Sequence, residues 1–220
     1  MPTRSKPKSK PKRKPSFLIG VAGGTGSGKT TLTKNILKAI GGKVAVLQHD
    51  WYYKDRSDIP PAEREAINYD HPDALQTSLL VRHLRQLHLG KSVKTPRYNF
   101  VTHTRLDAGE EVKPTPVIIV EGILIFADQK LADLFDLKIF VQTEADLRLL
   151  RRLERDMKER GRSFEGAVTQ YLETVRPMHQ TFVEPSMRNA DIIVPASAPN
   201  QKAIKMIVDM IQRRMDRHGQ

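Results

Sequence analysis

Eight consecutive residues, Gly23-Gly24-Thr25-Gly26-Ser27-Gly28-Lys29-Thr30, carry what is needed to grip a phosphate chain. Glycines let backbone N–H groups turn inward, a lysine reaches the outer phosphates, and a hydroxyl can sit on a divalent cation. The run fits G-x-x-x-x-G-K-[ST] without a mismatch, and Thr31 continues it into the next element. The chemistry implied is the binding of a nucleoside triphosphate, ATP or GTP, together with Mg²⁺. The loop does not say what is done with the phosphate.

Two acids stand where candidate strands end. Asp50 follows Val44-Ala45-Val46-Leu47 and opens the polar run Trp51-Tyr52-Tyr53-Lys54-Asp55. Ligands of open α/β folds collect beyond the carboxyl ends of the strands, so Asp50 is the leading candidate for a catalytic base. A strand-end aspartate that caps a turn is the competing reading. Glu121 ends the apolar run Val117-Ile118-Ile119-Val120, the Walker B arrangement, and with Thr30 it is the expected Mg²⁺ partner.

A third group is cationic. Arg148, Arg152 and Arg155 recur at three- and four-residue spacing on a helix closed by Gly161, so they share a face that can approach polyphosphate as a lid. Glu154 and Glu159 speak for the alternative, a solvated, salt-bridged face. Between the two strand-end acids, 94–105 followed by a Gly109 turn reads as a projecting hairpin. Its aromatic and histidine side chains suit a flat heterocycle, although a solvent-facing hairpin has the same composition. Asp70, on the loop ahead of a helix, can face the same cleft.

The elements that must position these groups alternate along the chain. Strands are expected at 17–22, 44–47, 116–121, 137–141 and 191–194. Helices are expected after Lys29, at 62–66, from an Asp73 cap to Gly90, over 146–160 and 164–182, and at the C-terminal end. That alternation predicts an α/β P-loop fold, three-layered with a parallel central sheet, a projecting β-hairpin and a helical Arg-rich lid. In the last helix Ile204, Ile207 and Ile211, with Met206 and Met210 beside them, read as a core-facing stripe. The 220 residues, 39% of them hydrophobic, suit one domain over 16–220. The net charge is +12, and seven of the positive charges lie in residues 1–15, a proline-punctuated stretch expected to be a disordered basic tail. Tail readings are a polyanion-binding arm, a localisation signal or a plain solvated extension. No apolar run reaches membrane-spanning length and no cysteine is present, which excludes a disulfide framework and suits a cytoplasmic location.

Several stretches together resemble the uridine kinase (uridine-cytidine kinase) family of P-loop kinases. Beyond the P-loop they are His49-Asp50-Trp51-Tyr52-Tyr53, Asn68-Tyr69-Asp70-His71-Pro72-Asp73-Ala74, Tyr98-Asn99-Phe100-Val101-Thr102-His103-Thr104-Arg105, Val120-Glu121-Gly122-Ile123-Leu124, Arg151-Arg152-Leu153-Glu154-Arg155-Asp156, Arg160-Gly161-Arg162 and Gln170-Tyr171. The resemblance implies transfer of the ATP γ-phosphoryl group to the 5′-hydroxyl of uridine or cytidine by a homotetramer. It makes Asp50 the base, with Lys29 also catalytic, and Asp70, Arg152, Gln170 and Arg162 the ribose and substrate contacts. Tyr53, Tyr98, Phe100 and His103 would surround the pyrimidine, while Arg155 and Arg160 would bear on the phosphates. Family members often carry Asp where this chain has Asn99, and an Arg-Gly pair where it has Pro195-Ala196-Ser197, so no adenine contacts are assigned. The rival readings are a phosphoribulokinase-like or pantothenate kinase-like enzyme, and a nucleotide-binding regulator that uses the tail on nucleic acid.

Overall fold

Short apolar strands separated by helices can hide both faces only by lying parallel between two helical layers. The computed structural model describes residues 15–41, 44–196 and 200–219, so the predicted basic tail lies, apart from Pro15, outside the described residues. Strands β1 (Phe17–Ala22), β2 (Val44–Gln48), β5 (Val117–Glu121), β6 (Leu137–Gln142) and β7 (Ile192–Pro195) form a parallel sheet in the order β2-β5-β1-β6-β7. Successive side chains alternate between its faces. In β5, Val117 and Ile119 pack with Leu32, Ile36 and Ile40 of α1 (Lys29–Ile40) and with Ile207 and Ile211 of α9 (Gln201–Gly219). Ile118 and Val120 face the other way, toward Leu80, Leu84 and Leu87 of α3 (Thr77–His88) and toward Phe126 and Phe135. This is the expected three-layer α/β architecture.

Two small helices, α2 (Pro61–Glu65) and α4 (Gln129–Ala132), fill connections. β3 (Val93–Asn99) and β4 (Thr104–Val112) make the separate antiparallel hairpin. The arginine-bearing helix is α5 (Ala145–Arg160), capped by Gly161 in the left-handed conformation. After it α6 (Phe164–Gln170) runs on through a π-turn at Tyr171–Val175, α7 (Arg176–Met178), a second π-turn at His179–Val183 and α8 (Glu184–Ser186). Pro177 and Pro185 lack the N–H that an α-helix would donate four residues back, which is why the helix widens twice.

Three local expectations are corrected. The hairpin turns at 100–103, where His103 takes a positive φ of 55°; Gly109 lies inside β4, opposite a bulge between Thr95 and Arg97. Asp73 does not cap α3, which starts at Thr77 behind Gln76; His71 instead accepts a hydrogen bond from the Asp73 N–H. Met206 is 73% exposed, because the buried stripe of α9 runs through Ile207 and Ile211 and leaves 206 on the outer side.

Ile119 is fully buried at the centre of the sheet. Ile119→Ala should lower stability by about 3–4 kcal/mol in urea or thermal denaturation, and a loss below about 1 kcal/mol would contradict the two-sided packing.

Candidate active site

The loop after β1 is shaped by close backbone approaches. Gly23 has φ 140° and Gly26 φ 72°; a Cβ on Gly23 would lie 2.4 Å from the Val141 carbonyl oxygen, and one on Gly26 2.3 Å from that of Arg148. Only glycine meets both demands. The Thr143 hydroxyl donates to the Ser27 carbonyl at 2.9 Å and moors the loop to the end of β6. α1 then begins behind Gly28 with no acid in its first turn, leaving its positive end directed at the loop. Lys29 folds across the loop and donates to the Gly23 and Gly24 carbonyls at 3.0 and 2.9 Å.

Both strand-end acids lie beside it. β2 and β5 are in register, with Gln48 opposite Glu121, so Asp50, in the helical turn that follows β2, lines the same cleft as Glu121. The Thr30 hydroxyl donates to Glu121 Oε1 at 3.1 Å, while Glu121 Oε2 and Asp50 Oδ1 are buried without a hydrogen-bond partner. One hydroxyl, one carboxylate and spare carboxylate oxygens suit Mg²⁺, which keeps water and phosphate oxygens for its remaining positions. The residues fit the ion the P-loop implies.

α5 supplies the opposite wall. Arg152 donates to Thr25 Oγ1 at 3.2 Å and to Gln170 Oε1 at 2.9 Å, and lies 4.0 Å from Asp70. Arg155 reaches Thr25 Oγ1 at 3.4 Å, Arg162 donates to Gln170, and Arg160 lies 5.0 Å over the Phe100 ring. Arg148 departs from the expected shared face. It is buried behind the loop, its Nε donating to the Thr143 carbonyl, and takes no part in lining the cleft.

At the far end the cleft becomes aromatic. Tyr53 packs against Tyr69, Tyr98 and Phe100 with centroids 5.1–6.5 Å apart, and Tyr69 stacks on His103 at 4.3 Å. Tyr69 is the aromatic that sequence reasoning missed, although it adjoins Asp70. The hairpin is tied down by Arg105, whose Nε donates to the Tyr53 carbonyl at 2.8 Å and whose backbone N–H donates to Asp55. Asn99 Oδ1 accepts from the N–H groups of Val101 and Thr102, so the neutral amide caps the turn as a carboxylate would.

One cleft of about 220 Å³ thus gathers Asp50, Lys29, Thr30, Glu121, Thr25, Tyr53, Asp70, Tyr98, Phe100, His103, Arg152, Arg155, Arg160, Arg162 and Gln170. Gln48 also lines it, as do Gly122 and Ile123, which the resemblance includes in a matching stretch without a role. Gly23, Gly24, Gly26 and Ser27 supply loop backbone outside that lining, while Gly28 and Thr31 open on the other side. There a more apolar cavity is bounded by Asn35, Val141, Arg151, Pro195, Ala196, Asn200 and Ile204. Its polar residues are scattered along the chain, and no local motif announces them.

Burial dominates the electrostatics. It lowers Lys29 to about 8, against the opposing pull of Asp50 and Glu121 and with added repulsion from Arg155 and Arg148. Burial likewise raises Glu121 and Asp70, partly countered by Lys29 and Arg152 respectively, and it drops His49 and His179 to about 4, so both are neutral near pH 7. A bound triphosphate favours the ammonium form of Lys29. Affinity for ATP should therefore be level below pH 8 and fall above it, by up to about tenfold per pH unit. Between about pH 8 and 10.5 the unfolded chain holds the Lys29 proton more tightly than the folded one, so Lys29's own contribution to stability rises over the same window. Lys29→Arg, charged throughout, should bind more weakly with a level profile in calorimetric titrations from pH 6.5 to 9.5. A level wild-type profile would contradict the assignment.

The phosphoribulokinase / uridine kinase family model matches residues 18–203. The chain is 48% identical over 202 residues to the uridine kinase of Clostridium tetani, covering 91% of this chain and 97% of that protein. It is 52% identical over 197 residues to the uridine kinase of Chloroflexus aurantiacus, covering 89% and 94%. Among solved structures the phosphoribulokinase of Rhodobacter spheroides shares the fold, with a TM-score of 0.62 at 18% identity over 83% of this chain and 70% of that one. With a P-loop after β1, acids beyond the ends of β2 and β5 and an arginine wall around one cleft, the chain belongs to the phosphoribulokinase / uridine kinase family.

Proposed function

We propose that the protein transfers the γ-phosphoryl group of ATP to the 5′-hydroxyl of uridine and cytidine, giving UMP and CMP in pyrimidine salvage. The observation that carries this reading is the single cleft running from Lys29 and Thr30, past Asp50, to the pocket of Tyr53, Tyr69, Tyr98, Phe100 and His103. The names of the relatives agree with it. A sugar phosphate has no use for five aromatic and imidazole rings, whereas a pyrimidine can lie among them.

In this reading the ribose lies against Asp70, Arg152 and Gln170, with Arg162 close by, and its 5′-hydroxyl points at Asp50. Asp50 orients that oxygen and takes its proton as the bond to the γ-phosphorus forms and the bridging P–O bond of ATP breaks, releasing ADP. The transition state is loose, so alignment matters more than basicity. Lys29, Arg155 and Arg160 balance charge on the phosphates. Mg²⁺, held by Thr30 and Glu121, supplies further charge neutralisation there. His103 donates or accepts according to tautomer, so it can serve either O4 of uridine or the N4 amino group of cytidine. The cavity between α1 and the end of β7 would take the donor's base, with Asn35 and Asn200 as its polar contacts, and GTP is an alternative donor. A homotetramer and a cytoplasmic location accompany this reading; among the described residues no helix is long and apolar enough to cross a membrane.

The test is steady-state phosphorylation with ATP and Mg²⁺ against uridine, cytidine, adenosine and ribulose 5-phosphate, for wild type and Asp50→Ala. Uridine and cytidine should react, and the variant should lose about 10³-fold in kcat. Reaction with the sugar phosphate alone would overturn the acceptor assignment, and retained turnover in Asp50→Ala would remove Asp50 from its role.

A further inference from the structure

The arginines of α5 converge on one carboxylate that the reaction as described does not use. Asp156 is 0% exposed. Arg155 donates to its Oδ1 through Nε at 3.1 Å and Nη2 at 2.9 Å, Arg152 Nε lies 3.1 Å from Oδ2, and Arg160 Nη1 lies 3.4 Å from Oδ1. The three guanidinium groups then diverge. Arg152 goes on to Thr25, Gln170 and the side of Asp70, Arg155 to Thr25 of the P-loop, and Arg160 to the face of Phe100.

Three like charges packed this closely repel one another, and long arginine side chains have many other rotamers to adopt. A carboxylate at their roots offsets that repulsion and fixes each fork from behind. Burial alone would raise its pKa and favour the neutral form, but the three arginines outweigh burial and hold the carboxyl below its usual range. Helix geometry explains the placement: Arg152 and Arg160 lie four residues before and after Asp156 on one face, and Arg155 folds back from the adjacent position.

We propose that Asp156 is a positioning residue that aims Arg152, Arg155 and Arg160 at the P-loop, the acceptor side and the aromatic pocket at once, so that one buried charge keeps the two substrates' binding groups in mutual register. The proposal rests on the kinase reading for the identity of the substrates, but its geometry requires only that phosphates bind beside Thr25 and Arg155.

The experiment compares wild type, Asp156→Asn, Asp156→Glu, Arg155→Ala and the double variant Arg155→Ala/Asp156→Asn. ATP affinity is measured by calorimetry and kcat with uridine, both per folded enzyme after thermal unfolding curves are recorded. Asp156→Asn should lose about tenfold in ATP affinity and about a hundredfold in kcat. Asp156→Glu, which keeps the charge, should recover part of both. Adding Asp156→Asn to Arg155→Ala should cost ATP affinity clearly less than the sum of the two single losses, because part of the carboxylate's effect on the phosphates passes through Arg155 and the rest through Arg160. Fully additive losses, or unchanged values per folded enzyme, would overturn the proposal. Should the Asn variant not fold, an unimpaired Asp156→Glu would overturn it equally, and an impaired one with a normal unfolding temperature would support it. Absence of uridine turnover in wild type would sink the acceptor assignment alone, since the ATP cycle still reads Asp156.

Discussion

Gathering cations around a buried cleft is costly unless their repulsion is answered nearby, and this constraint orders much of the molecule. Lys29, Arg152, Arg155 and Arg160 line the cleft together with Asp50, Asp70 and Glu121, while Asp156 stands behind the arginines. Cations and acids nearly balance before any ligand arrives. Triphosphate then enters as surplus negative charge in a place where burial has lowered Lys29 to about 8 and raised Glu121 and Asp70.

The sheet makes that arrangement possible. β1 is flanked by β5 on one side and β6 on the other, so chain connections leave in opposite directions at its carboxyl end. A crevice opens there, and the P-loop fills its floor. β5 and β2 then deliver Glu121 and the turn bearing Asp50 to neighbouring positions through strand register alone. The hairpin, which belongs to no part of this sheet, is held to the turn after Asp50 by Arg105. The aromatic end of the cleft and the strand-end acid are therefore linked both by these hydrogen bonds and by a shared core, in which Tyr52 and Tyr53 pack with Val93 and Tyr98 of the hairpin.

Much of this was legible in the residues, for physical reasons that differ from place to place. The P-loop demands glycine where backbone atoms nearly touch, and a buried parallel strand demands apolar residues on both faces, so Gly23, Gly26 and 117–120 announce themselves. Asp156 gave no such signal. Within Arg155-Asp156-Met157-Lys158 it has the composition of a solvated face, and only packing against α6 and the P-loop turns that face inward. Tyr69 was hidden because its stack on His103 depends on where the hairpin tip returns, a contact between loops 34 residues apart. Gly109 and Asp73 misled because glycine and aspartate have several uses each: bulged strand interior against turn, and loop surface against helix cap. The cavity beside Asn35 and Asn200 comes from two elements far apart in sequence that meet only across the third layer.

The widened turn at Tyr171–Val175 changes which way the rest of its helix looks. At about 100° per residue, two positions nine apart on a regular α-helix point to opposite sides. A π-turn absorbs one residue without advancing the spiral, which brings that separation back to roughly 80°. Gln170 and His179 stand nine apart on either side of this turn; Gln170 lines the cleft, and the His179 ring lies within 2.9 Å of where a side chain on Gly24 would begin. A proline two residues beyond the turn thus acts as a phase correction, letting one continuous rod turn Gln170 to the cleft and His179 to Gly24.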